Sequence, residues 1–253
     1  MLNFPADDHA LARLVAADVA GLLLEVRAAN ADEWVHTLRA EGDRRAHERI
    51  VELLHGARPD DAVLSEEGFD DQTRLGRERV WVVDPLDGTR EFGEWGRQDW
   101  AVHVALVIDG SVAAGAVALP AQGLVFATDD PPVVPPVEAG QKLRVVTSRS
   151  WLPNLSYALA EALDADLIGM GSAGAKAMAV VQGHADVYAH AGGMYEWDSA
   201  APIAVAASAG LHVSRVDGSI IRYNRPDPWL PDILICRPEL ADTCLQAARY
   251  AWW

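Results

Sequence analysis

The chain has 253 residues, half of them hydrophobic and 23% charged, which is enough apolar material for one large domain or two small ones with a buried core. Its 21 basic and 37 acidic residues leave a net charge of −16, which argues against any sequence-independent grip on DNA, RNA or an anionic membrane surface. Cys236 and Cys244 have neither metal nor redox spacing, no signal-peptide pattern opens the chain and no stretch nears the roughly 18 apolar residues of a membrane span, so a cytoplasmic protein is expected.

From Asp7 to Arg27, Leu11, Leu14, Val15, Leu22, Leu23 and Val26 fall on one face of a helix begun by Asp7 or Asp8. A second helical pattern starts at about Asp43, runs through Ala46, Ile50, Leu53 and Leu54 and breaks at Gly56 and Pro59, which puts Asp43 at its start. Ala62–Leu64 and Val80–Val83 read as buried strands that end in acidic residues. Trp100–Ile108 and Val112–Leu119 flank Asp109-Gly110, a strong hairpin signal, and Leu124–Thr128 adds a strand, so this half reads as helices on an antiparallel or mixed sheet. The proline-dense stretch 131–136 is expected to connect two subdomains, 1–135 and 136–253. Beyond it, strands over Leu143–Thr147, Ala165–Met170, Asp186–His190 and Ile233–Cys236 alternate with helices over Leu155–Leu163, Ser172–Val181 and Asp198–Ala209, an α/β layering.

Three acidic segments carry the chemistry: Ser65-Glu66-Glu67, Asp84-Pro85-Leu86-Asp87-Gly88-Thr89 and Trp197-Asp198-Ser199-Ala200-Ala201. In the middle one a buried strand runs into two aspartates in a turn forced by Pro85 and Gly88, so both carboxylates can point to one place. Like charges held that close need a proton or a cation between them, and an oxygen-rich site without His or Cys favours a hard cation such as Mg2+. Gly88 lets a phosphate approach the main chain, and Thr89 offers a hydroxyl that can orient a water. Each segment alone has a plainer reading: a solvated turn, a helix cap behind a core tryptophan, a solvated strand end. Their joint occurrence in this order decides for the site.

The order E-E, D-P-L-D-G-T, W-D-x-A-A resembles the signature of the inositol monophosphatase superfamily of Mg2+-dependent, lithium-sensitive phosphatases. The run Val83 to Phe92, ending Arg90-Glu91-Phe92 where Lys-Glu-Phe is usual, is similar to the branch that hydrolyses 3'-phosphoadenosine 5'-phosphate. The resemblance spans nearly the whole chain and implies an α/β (α+β) fold of layered αβαβα type. It implies two to three Mg2+ ions per subunit: one on Glu66, Asp84 and the Leu86 carbonyl, one on Asp84, Asp87 and Asp198, and a weaker third on Glu66. It further implies that Thr89 works with Asp43 to position and deprotonate the attacking water. The family's T-x-x-D approach to that aspartate is here Glu41-Gly42-Asp43, without the threonine, and an exposed helix cap is the competing role for Asp43.

Gly171-Ser172-Ala173-Gly174-Ala175-Lys176 opens a helix whose free N–H groups and dipole could receive a phosphate, so Gly88, Thr89, Ser172, Lys176 and Asp198 form the expected substrate contacts. The branch spaces this run G-S-x-x-K, one residue shorter, and a packing helix with a surface lysine competes. Ser148-Arg149 resembles the branch's S-R pair, either a phosphate or base contact or an exposed arginine. His103 reads as a buried, satisfied core histidine, and His190 and Glu196 as parts of a solvated loop near the pocket. The nine tryptophans read mostly as core or subunit contacts, with Trp252 and Trp253 in a homodimer interface. The expected substrate is a small phosphate ester: the 3'-phosphate of 3'-phosphoadenosine 5'-phosphate in sulfate assimilation, or alternatively inositol 1-phosphate or fructose 1,6-bisphosphate. A non-catalytic cation-binding protein is the reading from outside enzymes.

Overall fold

A computed structural model describes residues 4–30, 34–151 and 153–251. Helix α1 (Asp8–Ala29) is capped by Asp7, whose carboxylate accepts the Ala10 N–H at 2.9 Å. Helix α2 (Val35–Ala57) begins ahead of the expected Asp43, because Leu38, Gly42, Ala46 and Ile50 form one buried stripe that reaches upstream. Gly42 belongs to that stripe by virtue of its missing side chain: a Cβ there would lie 2.8 Å from the Phe92 ring. Asp43 therefore sits in mid-helix, half-buried, and is no N-cap.

Strands β1 (Ala62–Ser65), β2 (Arg79–Asp87), β3 (Ala101–Ile108), β4 (Ser111–Leu119) and β5 (Leu124–Ala127) lie in that order in a mixed sheet, β1 parallel to β2 and the rest antiparallel. The hairpin turn at Asp109-Gly110 forms with φ of 50° and 73°, as a two-residue turn between right-twisted strands requires. Strand β2 does not stop at Val83 in a turn but runs through Pro85 to Asp87. Asp84 pairs with His103 and Asp87 with Ala101, so three steps on β2 oppose two on β3, a bulge that also explains a proline inside the sheet. Residues three apart on a regular strand face opposite ways; the extra residue returns Asp87 to the side of Asp84. Gly88, with φ of 86°, then turns the chain into the short helix α3 (Thr89–Phe92).

A second sheet holds β6 (Arg144–Ser148), β7 (Asp166–Met170), β8 (Val187–Tyr195), β9 (His212–Ser214) and β10 (Trp229–Cys236) in the order β7-β6-β8-β10-β9. The helices between are α4 (Asn154–Leu163), α5 (Ala173–Val181), α6 (Glu196–Ser208) and α7 (Ala241–Ala251). Strand β9 and helix α7 had no counterpart in the sequence reading: one is three residues long, and the other buries only Cys244 and Ala248.

The layers follow from what each face buries. Helices α1 and α2 cover one face of the first sheet, α5 and α6 fill the space between the sheets, and α4 and α7 cover the outer face of the second, an αβαβα order. The Ala-rich helix α6 packs close on β4, where a Cβ on Gly115 would lie 2.8 Å from that of Ala204. Among the seven described tryptophans only Trp81 and Trp100 are fully buried, while Trp34, Trp95, Trp151 and Trp229 are exposed, so few of those expected in the core or in subunit contacts belong to the core. Trp252 and Trp253 lie outside the described residues. Among the described residues no helix is long and apolar enough to cross a membrane.

The β4–α6 approach makes a first prediction. Gly115→Val should overpack this layer at a cost of about 1–3 kcal/mol, seen as a lower urea midpoint with an unchanged slope. An unchanged midpoint would show that α6 gives way freely.

Candidate active site

A cavity of about 500 Å3 opens where the end of β2 meets the starts of α5 and α6, lined by Glu66, Asp87, Lys176, Tyr188, Trp197 and Asp198 among others. The structure thus brings together the three acidic segments, which arrive from the loop after β1, the bulge of β2 and the first turn of α6.

Each of the three aspartates has one oxygen pinned by the protein. Asp84 Oδ1 accepts the Leu86 N–H at 3.0 Å across the bulge. Asp87 Oδ2 accepts the Ser172 hydroxyl at 2.6 Å and the Gly174 N–H at 2.7 Å. Asp198 Oδ2 accepts the Tyr195 N–H at 2.6 Å, closing a capping box at the start of α6, so Asp198 itself is not the cap. The pinned oxygens fix the carboxylates.

Crowding shows in the proton affinities. Burial, and then the charges of Asp87 and Glu66, hold Asp84 well above the usual carboxylate range. Burial and the Asp87 charge push Asp198 up to about 7. Asp87 goes the other way: burial would raise it, but His103, the Ser172 hydroxyl and the Lys176 charge outweigh that and draw it down to about 2.

Asp84, Asp87 and His103 place one ligand atom each within 4.8 Å of one another. His103 is wholly buried as expected but only half satisfied: its Nδ1 is 3.0 Å from the Trp197 carbonyl, while its Nε2 stands 3.2 Å from Asp87 Oδ2 without a well-directed hydrogen bond. Gly174 stands against that ring: a Cβ there would be 2.0 Å from Nε2. With Nε2 walled off, the donors left for a cation are carboxylate and carbonyl oxygens, a set suited to a hard divalent ion.

Asp43 reaches the same place from α2. The Thr89 hydroxyl stands 3.3 Å from Asp43 Oδ1 and 3.1 Å from the Leu86 carbonyl, and both are acceptors. Burial and the charge of Glu67 raise Asp43 to about 6, a value suited to taking up a proton near neutrality.

Other expected contacts are redistributed. Two N–H groups at the start of α5 are spent inside the protein, that of Gly174 on Asp87 and that of Ala175 on Ser172 Oγ, so Asp87 is one anion at this helix end. Lys176 is buried rather than superficial, its ammonium donating to the Gly171 and Ser172 carbonyls and lining the cavity with a third N–H to spare. Arg149 contacts neither the cavity nor open solvent alone. It pairs with Glu91 at 2.6 Å and Glu94 at 2.8 Å, tying the end of β6 to α3. Arg90, Ser148 and His190 do line the cavity. Glu196 is buried, accepting the backbone N–H groups of Asn224 and Arg225, and the Gly192-Gly193 pair lies inside β8 rather than in a loop.

Arg74 carried no local signal. It is 2% exposed and donates to Asp70, to Asn224 Oδ1 at 2.7 Å and to the Arg225 carbonyl at 2.9 Å. Through Glu196 this fastens the loop after Glu66 to the helix that carries Asp198, a link between residues about 150 positions apart that only the folded chain shows.

The sequence model of the inositol monophosphatase family matches residues 9–251. This chain belongs to the inositol monophosphatase family. It is 48% identical over 242 residues to a 3'-phosphoadenosine 5'-phosphate phosphatase of Mycobacterium bovis, covering 93% of this chain and 91% of the relative. It is 32% identical over 202 residues to the 3'(2'),5'-bisphosphate nucleotidase CysQ of Escherichia coli, covering 74% and 80%. Among solved structures, CysQ of Bacteroides thetaiotaomicron superposes with a TM-score of 0.76 at 28% identity, covering 91% of this chain and 97% of that one. The family is metal-dependent, and the oxygen cluster fits that dependence.

A pH prediction follows from the raised carboxylates. Folded Asp198 keeps its proton to about 7, whereas an unfolded aspartate loses it near 3.9. Asp43 behaves alike, up to about 6. Over that window the folded chain binds more protons, so stability must fall as pH rises. The metal-free protein should have a lower urea midpoint at about pH 8 than at about pH 5.5, and added Mg2+ should remove most of the difference. A midpoint that climbs over this range would contradict the assigned crowding.

Proposed function

We propose that this chain is a phosphoric monoester hydrolase that removes the 3'-phosphate of 3'-phosphoadenosine 5'-phosphate, with water, to give AMP and inorganic phosphate, as sulfate assimilation requires. The observation that carries it is the convergence of Asp84, Asp87 and Asp198, each with one oxygen pinned, beside the Asp43–Thr89 pair. The curated relatives named above support the choice of substrate.

Glu66, Asp84, the Leu86 carbonyl, Asp87 and Asp198 would hold two to three Mg2+ ions per subunit. Bound there, Mg2+ supplies Lewis-acid charge to the phosphoryl oxygens. The Thr89 hydroxyl reaches both the Leu86 carbonyl and Asp43, and were that carbonyl taken as a ligand, Asp43 would be the acceptor left to it. Thr89 then donates to Asp43 while its oxygen accepts a hydrogen of the attacking water, so the proton leaves toward a carboxylate able to hold it.

Lys176, with one N–H uncommitted, and Arg90 give the cavity its own positive groups for the substrate's phosphates. Its wall is aromatic: Tyr195 stacks on Trp197 at 4.7 Å, and Trp229 stands beside them. Trp229 can lie there because Gly193, with φ of 94°, has no Cβ, which would be 2.4 Å from the indole nitrogen. A flat apolar wall beyond a phosphate site suits a purine better than a polyol. We place the enzyme in the cytoplasm and propose a homodimer, with subdomains 1–135 and 136–253 meeting at the cavity.

Phosphate release should be at least ~10-fold faster, in kcat/KM, from 3'-phosphoadenosine 5'-phosphate than from inositol 1-phosphate at equal Mg2+, a difference of about 1.4 kcal/mol. The reverse preference would overturn the substrate assignment in favour of inositol phosphates. Asp43→Asn should lower kcat by roughly 10^2–10^4 with little change in KM, as loss of a general base does. Equal loss through KM alone would place Asp43 in binding instead.

A further inference from the structure

Within the metal-dependent reading just given, on which this inference rests, we propose that His103 is a positioning residue for Asp87: with Ser172 and the Gly174 N–H it engages Oδ2 and presents Oδ1 alone to the cation. A carboxylate can meet a cation through either oxygen or both, and the choice is set by what the oxygens already touch. Oδ2 of Asp87 accepts the Ser172 hydroxyl at 2.6 Å ahead of α5 and the Gly174 N–H at 2.7 Å within α5. His103 Nε2, on β3, is the third group beside it, 3.2 Å away, buried and with no other partner to turn to. An oxygen so surrounded has no face left for a metal.

The ring itself is held from behind. Nδ1 lies 3.0 Å from the carbonyl of Trp197, the residue before Asp198. His103 therefore ties Asp87 directly, and Asp198 through its neighbour's main chain, joining the first sheet to the start of α6. Gly174 leaves room for this link, since any side chain there would strike Nε2.

Two substitutions separate the two contacts of the ring. His103→Gln sets an amide N–H near the position of Nε2 and keeps the partner of Asp87, while His103→Asn sets it near Nδ1 and keeps only the Trp197 contact. The readout is the Mg2+ concentration that half-stabilises the metal-free protein against heat, alongside the Mg2+ midpoint of phosphate release. His103→Asn should raise both midpoints ~10-fold, the lower end of the range for residues behind a metal ligand. Ser172→Ala, which strips another partner from Oδ2, should move them the same way. His103→Gln should stay close to wild type. The inference is overturned if His103→Asn and Ser172→Ala keep the wild-type midpoints, or if His103→Gln shifts as far as His103→Asn, because the ring would then be packing alone. Should His103→Asn not fold, Ser172→Ala against His103→Gln decides on the same terms. A wild-type protein whose melting ignores Mg2+ would instead overturn the function proposed above.

Discussion

Carboxylates drawn into one partly dry cavity repel one another, and their neighbours in this fold serve to hold that repulsion in place. Burial, and after it that repulsion, raises the proton affinity of both Asp84 and Asp198, the first well above the usual range and the second to about 7. Asp87 escapes it, at about 2, because His103, Ser172 and Lys176 all stand on its side. The cluster is therefore graded rather than uniform: Asp87 is ionised at any ordinary pH, Asp198 changes charge near neutrality, and Asp84 holds its proton above the usual carboxylate range. A site of that kind exchanges protons for metal as it loads.

Holding the cluster requires close approach between layers that belong to different sheets, and the chain achieves this with missing side chains. Gly174 admits the His103 ring against α5, Gly115 admits α6 against β4, and a Cβ on Gly171 would lie 2.4 Å from the Glu91 side chain. Beside this last contact, Arg149 and Glu91 pair at 2.6 Å, so the far end of β6 is bound to the helix that follows Thr89. Interiors packed at this density transmit displacement. A shift of the second sheet would be felt at Asp87 through Ser172 and at Asp198 through Tyr195, and the site cannot be separated from the stacking of the layers.

Which parts were legible in the sequence follows from the range of the forces involved. The hairpin at Asp109-Gly110 and the cap at Asp7 are set by neighbours in the chain and read correctly, as did the strands that alternate with helices after the proline stretch. The acidic segments could be paired with a cation because their residue types leave few other uses for them. The start of α2 was misplaced because Gly42, a residue that usually interrupts helices, is needed there by Phe92 from another element. The bulge between Asp84 and Asp87 was read as a turn, since a proline in a central strand is permitted only where the partner strand is one residue short. Arg149 and Arg74 were beyond reach because a basic side chain is exposed by default and their partners lie tens or hundreds of positions away. Lys176 has close partners, the Gly171 and Ser172 carbonyls, but its burial follows from the packing of α5 between the sheets.

The net charge of −16 takes on a sharper meaning against this arrangement. Many arginines are already held by acids, as in Arg49 with Asp18 and Glu52, Arg79 with Asp8 and Asp61, and Arg215 with Asp232. Such pairs near the surface add little stability and offer little attraction to a passing phosphate. Long-range steering by this surface favours cations over polyanions. Attraction for an anionic substrate must then arise inside the cavity, from Lys176 and Arg90 and from the ions that the carboxylates would gather. An acidic exterior around such a centre draws in the cations its carboxylates would hold and gives no attraction to nucleic-acid polymers, whose phosphates would have to lie along the outer surface.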